Sequence, residues 1–484
     1  MGNEIAGIAA RVWELAGGPP EAAGTLRITG PRTVLPSYFD VTGLATATVA
    51  AAALAAAEFG AARGDGSGAR NSAAGGSVPL PRPVTVDTRA AAAAFAAEHL
   101  FTPVGWSLPG LWDPIAGNYR AEDGWIRLHT NYAHHRAAVE RVLGASDRDS
   151  ARAAVSRWKA GDLETAVIEA GGCAAVMHTR DEWLASPAGA ASADAPLLTV
   201  AERAPVPGDP TRADGENGQP YAGVRVLDLT RVMAGPVCTK FLAAFGADVL
   251  RIDPPGFAEV PALVPEMTAG KRTAALDLTT GPGREAFERL VAGTDILVTG
   301  LRADALERLG YDDGALTALN PALIHVSHNA YGWDGPWRDR RGFDSLVQMS
   351  CGIAALGAAA EAKDEPVPLP VQALDHATGY LMAAAAGRAL TRRRTHSAAS
   401  RVKASLIGTA NLLWSFGTHA GDLPPKPRPE EFDLVTTGTE WGPARRVPPP
   451  ATIEGIAAAW RIPAGPLGRH PAAWLTEAED NPQR

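Results

Sequence analysis

An alternation of strand and helix patterns that begins after residue 221 is the feature that most constrains the fold. Short apolar runs at 224–229, 246–252, 273–278, 295–299 and 322–327 are separated by helical patterns at about 237–245, 283–292 and 304–309. Strands that alternate with helices predict a parallel sheet that is covered on both faces. Since ligands of such sheets bind beyond the carboxyl ends of the strands, we expect a site near residues 231–236 and 253–256.

Composition divides the rest of the chain of 484 residues. Residues 202–220 are rich in Pro, Gly and charged side chains, which is typical of an interdomain linker. The prediction is therefore an α/β protein with a Rossmann-like parallel sheet domain at 221–484. The N-terminal region, 1–201, begins with alanine-rich helices and continues at about 101–200 as a second, smaller α/β domain.

Charge and cysteine content indicate a simple cytoplasmic setting. A formal charge of −8 and a pI near 5.8 give no electrostatic reason to expect nucleic acid or an anionic membrane as partner. The three cysteines are far apart and suit neither a metal site nor a disulfide framework. The longest apolar run, 44–59, is mostly alanine and is predicted to be too short and too weakly apolar to cross a membrane. We expect no bound metal.

Asp375 is the strongest candidate for a chemical role, because it stands at the start of an alanine-rich helical pattern. Two interpretations are open from the residues alone. Asp375 could be an ordinary helix N-cap, or it could be a nucleophile that the first-turn N–H groups keep ionised. Asp253 poses a similar choice between a ribose-binding acid and a simple strand end. The glycine fingerprint of dinucleotide sites is absent from the turn after the first strand.

The segment GVRVLDLTRVMAGPVCTKFLAAFGADVLRIDPP at 223–255 closely resembles the opening of family III CoA-transferases, the group of formyl-CoA and carnitine CoA-transferases. The resemblance continues in order through KRTAALDL at 271–278, DALERLG at 304–310, NPALI at 320–324 and GFDSLVQ at 342–348. It ends at the Asp375 helix, where the family carries its catalytic aspartate.

This resemblance implies a function for the domain at 221–484. Asp375 would attack an acyl-CoA to give an anhydride, which the CoA thiolate converts to an aspartyl-CoA thioester; a carboxylic acid acceptor then takes the CoA. It also implies contacts to the nucleophile or to CoA from Val232, Met233, Ala234, Leu301 and Arg308. Acyl-CoA would be a substrate rather than a permanently bound cofactor. Family members form interlocked homodimers, whereas a chain with rearranged halves could make the same contacts internally.

Several departures from the family pattern keep other functions open. Pro254 replaces a basic residue of some members, Gly300 replaces a common Asn, and a glycine-rich shielding loop is missing. The segment at 123–175 resembles the small domain that normally follows the catalytic aspartate, so the order of segments is rearranged or tandem. An α-methylacyl-CoA racemase would need a His where this chain has Phe343. A CoA-binding pseudoenzyme is the third hypothesis.

Overall fold

The computed structural model describes residues 2–64, 79–205, 218–300 and 304–475. The N-terminal part is mainly helical. Its elements, in chain order, are α1 (Gly2–Leu15), α2 (Pro20–Ala23), β1 (Leu26–Thr29), α3 (Val41–Arg63), β2 (Val84–Asp87), α4 (Thr88–Phe95) and α5 (Ala97–Leu100). The strand β1 pairs in parallel with β2. This part is not an independent unit, since its apolar residues belong to the same hydrophobic core as those of the large sheet.

A smaller α/β unit follows and has a core of its own. The elements of residues 102–193 are β3 (Thr102–Pro103), β4 (Gly117–Arg120), β5 (Trp125–Leu128), α6 (Ala133–Leu143), α7 (Arg148–Val155), α8 (Ala160–Glu169), β6 (Ala174–Val176), α9 (Arg180–Ala185) and α10 (Pro187–Ala193). The separate core lies between β4 and β6, whereas Trp183 of α9 and Ala188 of α10 belong to the main core. The strands β4, β5 and β6 form an antiparallel sheet. The predicted second, smaller α/β domain is therefore present in the fold.

The large sheet has seven strands, and the order of the strands across it is that of a doubly wound fold. The elements of this part are β7 (Leu198–Pro205), β8 (Arg225–Leu229), α11 (Ala234–Ala244), β9 (Asp248–Asp253), α12 (Val264–Met267), β10 (Lys271–Ala275), α13 (Gly281–Ala292), β11 (Ile296–Thr299), α14 (Ala305–Arg308), α15 (Asp313–Leu319), β12 (Ile324–Asn329), α16 (Asp344–Ser350), α17 (Ile353–Ala360), α18 (Ala373–His396) and β13 (Ala398–Ser405). The sheet order is β10-β9-β8-β11-β12-β13-β7.

Six neighbouring strands of this sheet are parallel, as the alternating pattern predicted. Their order, numbered along the sheet part of the chain, is that of dinucleotide-binding doubly wound folds, with the reversal between β8 and β11. The seventh strand, β7, pairs antiparallel with β13 at the edge. Residues 202–205 therefore belong to a strand and not to the predicted linker, because the edge of β13 satisfies their backbone groups. The rest of that linker, up to 217, lies outside the described residues.

The C-terminal part ties the molecule together through short elements. These are α19 (Leu406–Ser415), β14 (Val435–Thr439), β15 (Gly442–Arg446) and β16 (Thr452–Ile453). The strand β15 pairs with β3, and β16 pairs with β2. The end of the described chain is thus hydrogen-bonded to the N-terminal region, although the two lie far apart in sequence.

Two alanine-rich helices pack along each other at the centre of the molecule. They are α3 and α18; most residues of both helices are buried, and Ala, Gly and Thr are frequent in both. A side chain on Gly387 of α18 would lie 3.0 Å from the Cβ atom of Ala55 in α3. The small residues therefore set the distance between the two helices.

The helix α3 corrects the expectation for the apolar run at 44–59. It is 23 residues long, and by length and composition it could cross a membrane. Every residue of its apolar window is nevertheless buried inside the protein, mainly by the other helices. The same composition that suits a membrane also suits a central helix surrounded by protein.

We expect Ala55→Leu to lower the free energy of unfolding by about 1–3 kcal/mol, because a larger side chain would force α3 and α18 apart in a closely packed core. Urea denaturation followed by circular dichroism measures this change. Ala153→Leu, at an exposed position of α7, is the matched control and should change stability by less than about 0.5 kcal/mol. Equal effects of the two substitutions would contradict the packing argument.

Candidate active site

A cavity of about 420 Å³ opens at the carboxyl ends of β8, β11 and β12. This is the position where doubly wound sheets bind ligands, next to the reversal of strand order. Four of the six predicted site residues line this cavity: Val232, Met233, Ala234 and Asp375. The expectation of a site near residues 231–236 is thereby supported by the shape of the molecule.

The other two predicted residues are not seen in the cavity wall. Arg308, at the end of α14, is half exposed and forms an ion pair with Asp304 at 3.0 Å. Ala305, one turn earlier in the same helix, does line the cavity. Leu301 lies outside the described residues. Arg308 is not among the residues that line the cavity, and its ion pair with Asp304 is exposed to water.

Asp375 is the third residue of α18 and is not its N-cap. The N-cap position belongs to Gln372, whose side chain makes no capping hydrogen bond. The first-turn N–H groups of Leu374 and Asp375 instead donate to one carboxylate oxygen of Asp344, at 2.7 and 3.0 Å. Asp344 thus performs the capping that the sequence suggested for Asp375.

The Asp344 carboxylate is itself held in place from the other side. Its second oxygen accepts a hydrogen bond from the side-chain amide of Gln348, and the Gln348 carbonyl oxygen accepts from the N–H of Leu369 at 2.8 Å. Burial raises the pKa of Asp344 to about 6. Because three N–H groups donate to it, Asp344 is the member of the Asp344–Asp375 pair that holds a negative charge.

The Asp375 carboxyl group is buried and accepts no hydrogen bond from the residues that the structure describes. Burial, followed by the nearby charges of Asp344 and Glu98, raises the pKa of Asp375 well above its ordinary value. The expectation that the helix terminus keeps Asp375 ionised is therefore wrong for the unliganded protein. The N–H groups that would have stabilised its charge are already bonded to Asp344.

The N-terminal region contributes to the surroundings of Asp375. Glu98, at the centre of α5, is buried and lies 3.0 Å from Nε2 of His376, the residue after Asp375. Burial opposes the Glu98 charge, but the interaction with His376 keeps the pKa of Glu98 below its ordinary value. The ring of His376 also stacks on Phe95. The N-terminal helices thus fix the side chain of His376. His376 does not line the cavity, so it has no acid–base role there.

The turn after β8, which borders the cavity, has a strained backbone. Val232 has a φ of 62°, a left-handed conformation that is rare for a β-branched residue. Its N–H donates to the Glu259 carboxylate at 3.0 Å, and the same carboxylate accepts from Tyr132 at 2.6 Å and from Arg251 at 2.8 Å. Strain of this kind persists only where surrounding contacts hold it, and it concentrates at functional sites.

Close helix packing places Asp375 beside that turn. A side chain on Gly379, one helical turn after Asp375, would lie 2.5 Å from the carbonyl oxygen of Ala234. A side chain on Gly235 would clash with Thr230 at 2.2 Å. Gly379 therefore lets α18 approach the start of α11, while Gly235 lets the turn after β8 fold closely onto Thr230, so that Asp375 and residues 232–234 share one cavity.

Several polar residues of the cavity come from parts of the chain that the sequence did not connect. His134 and His135 from the small α/β unit line the cavity, as do His328 and Phe343. The Phe343 ring stacks on His129 with centroids 3.7 Å apart. Burial lowers the pKa of His135 and of His328 to about 3 and about 4, so both imidazoles are neutral at pH 7.

Basic residues stand at one side of the same cavity, namely Arg231, Arg338, Arg340 and Arg341. Arg340 is bonded to Glu164 at 2.8 Å and packs on Trp337. Arg231 lies over the ring of Phe257 at 3.8 Å. A local basic wall for an anionic ligand is therefore present in a chain of net negative charge. Within the described ranges, no cluster of three His, Cys, Asp or Glu residues could hold a metal ion.

Asp253 has a structural role that argues against a ribose contact. Its carboxylate is buried and accepts two hydrogen bonds from Arg251, at 2.8 and 3.2 Å. Arg251 also bonds Glu259, so Asp253 belongs to the network that fixes the Val232 turn. Of the two interpretations of Asp253, the structure favours the simple strand end.

These features define an α/β protein with a carboxyl group poised in a substrate-sized cavity at the switch point of its sheet. The family model "CoA-transferase family III" matches residues 221–432. That part of the chain is therefore similar to the CoA-transferases of family III. The matched range covers α11, the whole run of parallel strands and Asp375.

Three relatives illustrate the similarity. The chain is 31% identical over 229 residues to a probable fatty acyl-CoA transferase of Mycobacterium tuberculosis, covering 44% of this chain and 58% of that protein. It is 32% identical to a succinate–glutarate CoA-transferase of Agrobacterium fabrum and 30% identical to a formyl-CoA:oxalate CoA-transferase of Rhodopseudomonas palustris. These matches cover 35% and 39% of this chain and 47% of each relative. The chain thus spans about half the length of these relatives.

A solved structure from Mycobacterium tuberculosis is 30% identical in sequence and superposes with a TM-score of 0.37. That superposition covers 41% of this chain and 56% of the other.

We expect Asp375→Asn to stabilise the fold at pH 8 and to have little effect near pH 4. The pKa of Asp375 is higher in the folded than in the unfolded chain. Its contribution to stability is therefore fully present below the unfolded pKa, about 3.9, and falls as pH rises towards the folded value. The measurement is the melting temperature of both proteins from pH 4 to pH 8. A wild-type advantage that grows with pH would contradict the assigned direction of the pKa.

Gly379→Ala tests the close approach of α18 to the Val232 turn. We expect the activity proposed below to fall by about 10- to 100-fold, because a displacement of Asp375 by a fraction of an ångström would disrupt a reacting geometry. Activity and melting temperature are measured together. Gly161→Ala, a helical glycine with open space around its Cβ position, is the control and should leave activity unchanged. An active Gly379→Ala protein would show that the contact does not position Asp375.

Proposed function

We propose that this chain transfers CoA from an acyl-CoA to a carboxylic acid, with Asp375 as the nucleophile. The single observation that carries the proposal is the position of Asp375, whose carboxyl group accepts no hydrogen bond from the described residues and lines the cavity at the strand ends. An aspartate with a purely structural role would be bonded, as Asp40 is at the start of α3. There Arg32 and the N–H of Gly43 donate to the Asp40 carboxylate.

The chemistry proceeds in four balanced steps. The Asp375 carboxylate attacks the thioester carbonyl, the C–S bond breaks, and the CoA thiolate leaves behind a mixed anhydride. The thiolate attacks the aspartyl carbonyl of this anhydride, which gives an aspartyl-CoA thioester and the free carboxylate of the donor. The acceptor carboxylate attacks the aspartyl thioester and forms a second anhydride. The released thiolate then attacks the acceptor's acyl carbon and frees Asp375.

The environment of Asp375 supports a nucleophile that must lose its proton on substrate binding. Burial and the charges of Asp344 and Glu98 raise its pKa, and a carboxylate of raised pKa is a stronger nucleophile once ionised. The neighbouring basic side chains, Arg231 and Arg341, give the bound ligand a positive surround. The proposed substrates are therefore an acyl-CoA and a small carboxylic acid, in a cytoplasmic setting.

A second candidate function is proton transfer at the α-carbon of an acyl-CoA. The observation that favours it is the neutral His135, which lines the cavity and packs edge-on against Phe343 with centroids 5.9 Å apart. Phe343 occupies the position where a racemase would carry its His, so His135 could supply a base from the small α/β unit. We rank this function second, because racemisation has a further requirement. His135 and Asp375 would have to lie on opposite faces of the α-carbon.

One experiment separates the hypotheses. The protein is incubated with an acyl-CoA in deuterated water, and the intact protein and the acyl-CoA are then analysed by mass spectrometry. We expect a covalent CoA adduct that is absent from Asp375→Asn and that forms faster as pH rises, because the carboxylate is the reacting form. Deuterium at the α-carbon without an adduct would replace transfer by proton exchange. CoA binding without an adduct or exchange would indicate a pseudoenzyme.

A further inference from the structure

His328 is a polar residue of the cavity that the proposed chemistry does not use. It lies near the carboxyl end of β12, and its side chain lines the cavity together with Asp375. Both ring nitrogens are buried, and neither has a hydrogen-bond partner among the described residues. A neutral imidazole has one N–H donor and one acceptor nitrogen. Neither the donor nor the acceptor of His328 forms a hydrogen bond with a described residue.

Another buried histidine of the same strand does have a hydrogen-bond partner. His325, three residues earlier in β12, lies with Nε2 at 3.0 Å from the hydroxyl of Thr299. A buried polar group without any partner destabilises the fold, and most buried polar groups in folded proteins are bonded. The unbonded imidazole of His328 therefore points to a partner that the ligand provides.

The absence of a side chain at residue 300 gives His328 its place. An added Cβ atom on Gly300, directly after β11, would lie 2.2 Å from Nε2 of His328. The polar group at this corner of the cavity thus comes from β12 in this chain, and the two positions cannot both bear a polar side chain without rearrangement.

The state of the imidazole restricts the kind of ligand group that it can bind. Burial lowers the pKa of His328 to about 4, so the ring is uncharged at pH 7 and suits a neutral amide better than a phosphate. Phosphate groups would find a better match in Arg231, Arg338 and Arg341 at the basic side of the cavity. A metal ion is disfavoured, because the described residues provide no cluster of further ligands.

We propose that His328, whose ring packs against Gly300, binds acyl-CoA by a hydrogen bond to an amide of the thiol arm. This inference rests on the proposed function, because it requires CoA to occupy the cavity. It adds a binding residue on β12 that orients the thioester relative to Asp375.

The test compares three ligands by isothermal titration: CoA, pantetheine as the thiol arm alone, and adenosine bisphosphate as the nucleotide end alone. We expect His328→Val to weaken CoA and pantetheine by about 3- to 10-fold, which corresponds to one hydrogen bond, and to leave adenosine bisphosphate unchanged. His325→Gln, in the same strand, is the matched control and should lower the melting temperature without changing the affinity for CoA.

An exchange of residues provides a second measurement that does not depend on the stability of one variant. Gly300→Asn alone should weaken CoA binding strongly, because the added side chain collides with His328. The double variant, Gly300→Asn with His328→Val, should return the affinity for pantetheine to within about threefold of the wild type, since one polar group again faces the corner.

The possible outcomes are distinct. Unchanged pantetheine affinity in His328→Val, with the Asp375 adduct still forming, would overturn the role of His328 and leave the proposed function intact. A loss for adenosine bisphosphate as large as that for pantetheine would assign His328 to the nucleotide end and also overturn the proposal. A wild-type protein that binds neither CoA nor pantetheine would overturn both proposals.

Discussion

The capping of α18 by Asp344 is the interaction on which the site depends. A helix N-terminus carries unbonded N–H groups and a partial positive charge, and one carboxylate can satisfy them. Here that carboxylate comes from α16, so the helix that carries Asp375 is fixed to a neighbouring element at its first turn. Because the capping role is filled, the carboxyl group of Asp375 is free for a substrate.

The same interaction explains why Asp375 is electrostatically costly to the folded protein. Two buried carboxyl groups near each other cannot both be ionised without a large penalty. Asp344 keeps its charge through N–H donors, and the buried Glu98 keeps its charge through His376. Of the two carboxyl groups, Asp375 is therefore the one that favours its protonated form. Ionisation of Asp375 at higher pH lowers the stability of the folded protein.

Parts of this arrangement follow from the sequence and parts do not. The parallel strands follow from apolar runs separated by helical patterns, because that alternation permits few topologies. Asp375 and residues 232–234 follow from the resemblance to a family, and the sheet topology brings them together. Neither Asp344 nor Glu98 could be assigned from spacing, since each meets α18 through contacts between residues distant in sequence. For the same reason, the sequence did not indicate that Asp344 and Glu98 raise the pKa of Asp375.

Segments from both ends of the described chain contribute to the surroundings of Asp375. The N-terminal region supplies β7 to the edge of the large sheet and supplies α3 to cover α18, while β15 and β16 from the far end of the chain pair with β3 and β2. These contacts bury the flanks of α18, the helix that carries Asp375, within one chain. The small α/β unit, which precedes the sheet, reaches the cavity through Tyr132, His134 and His135. Segments that precede the sheet and segments that follow it therefore enclose the site together, since enclosure depends on which surfaces meet and not on their order along the chain.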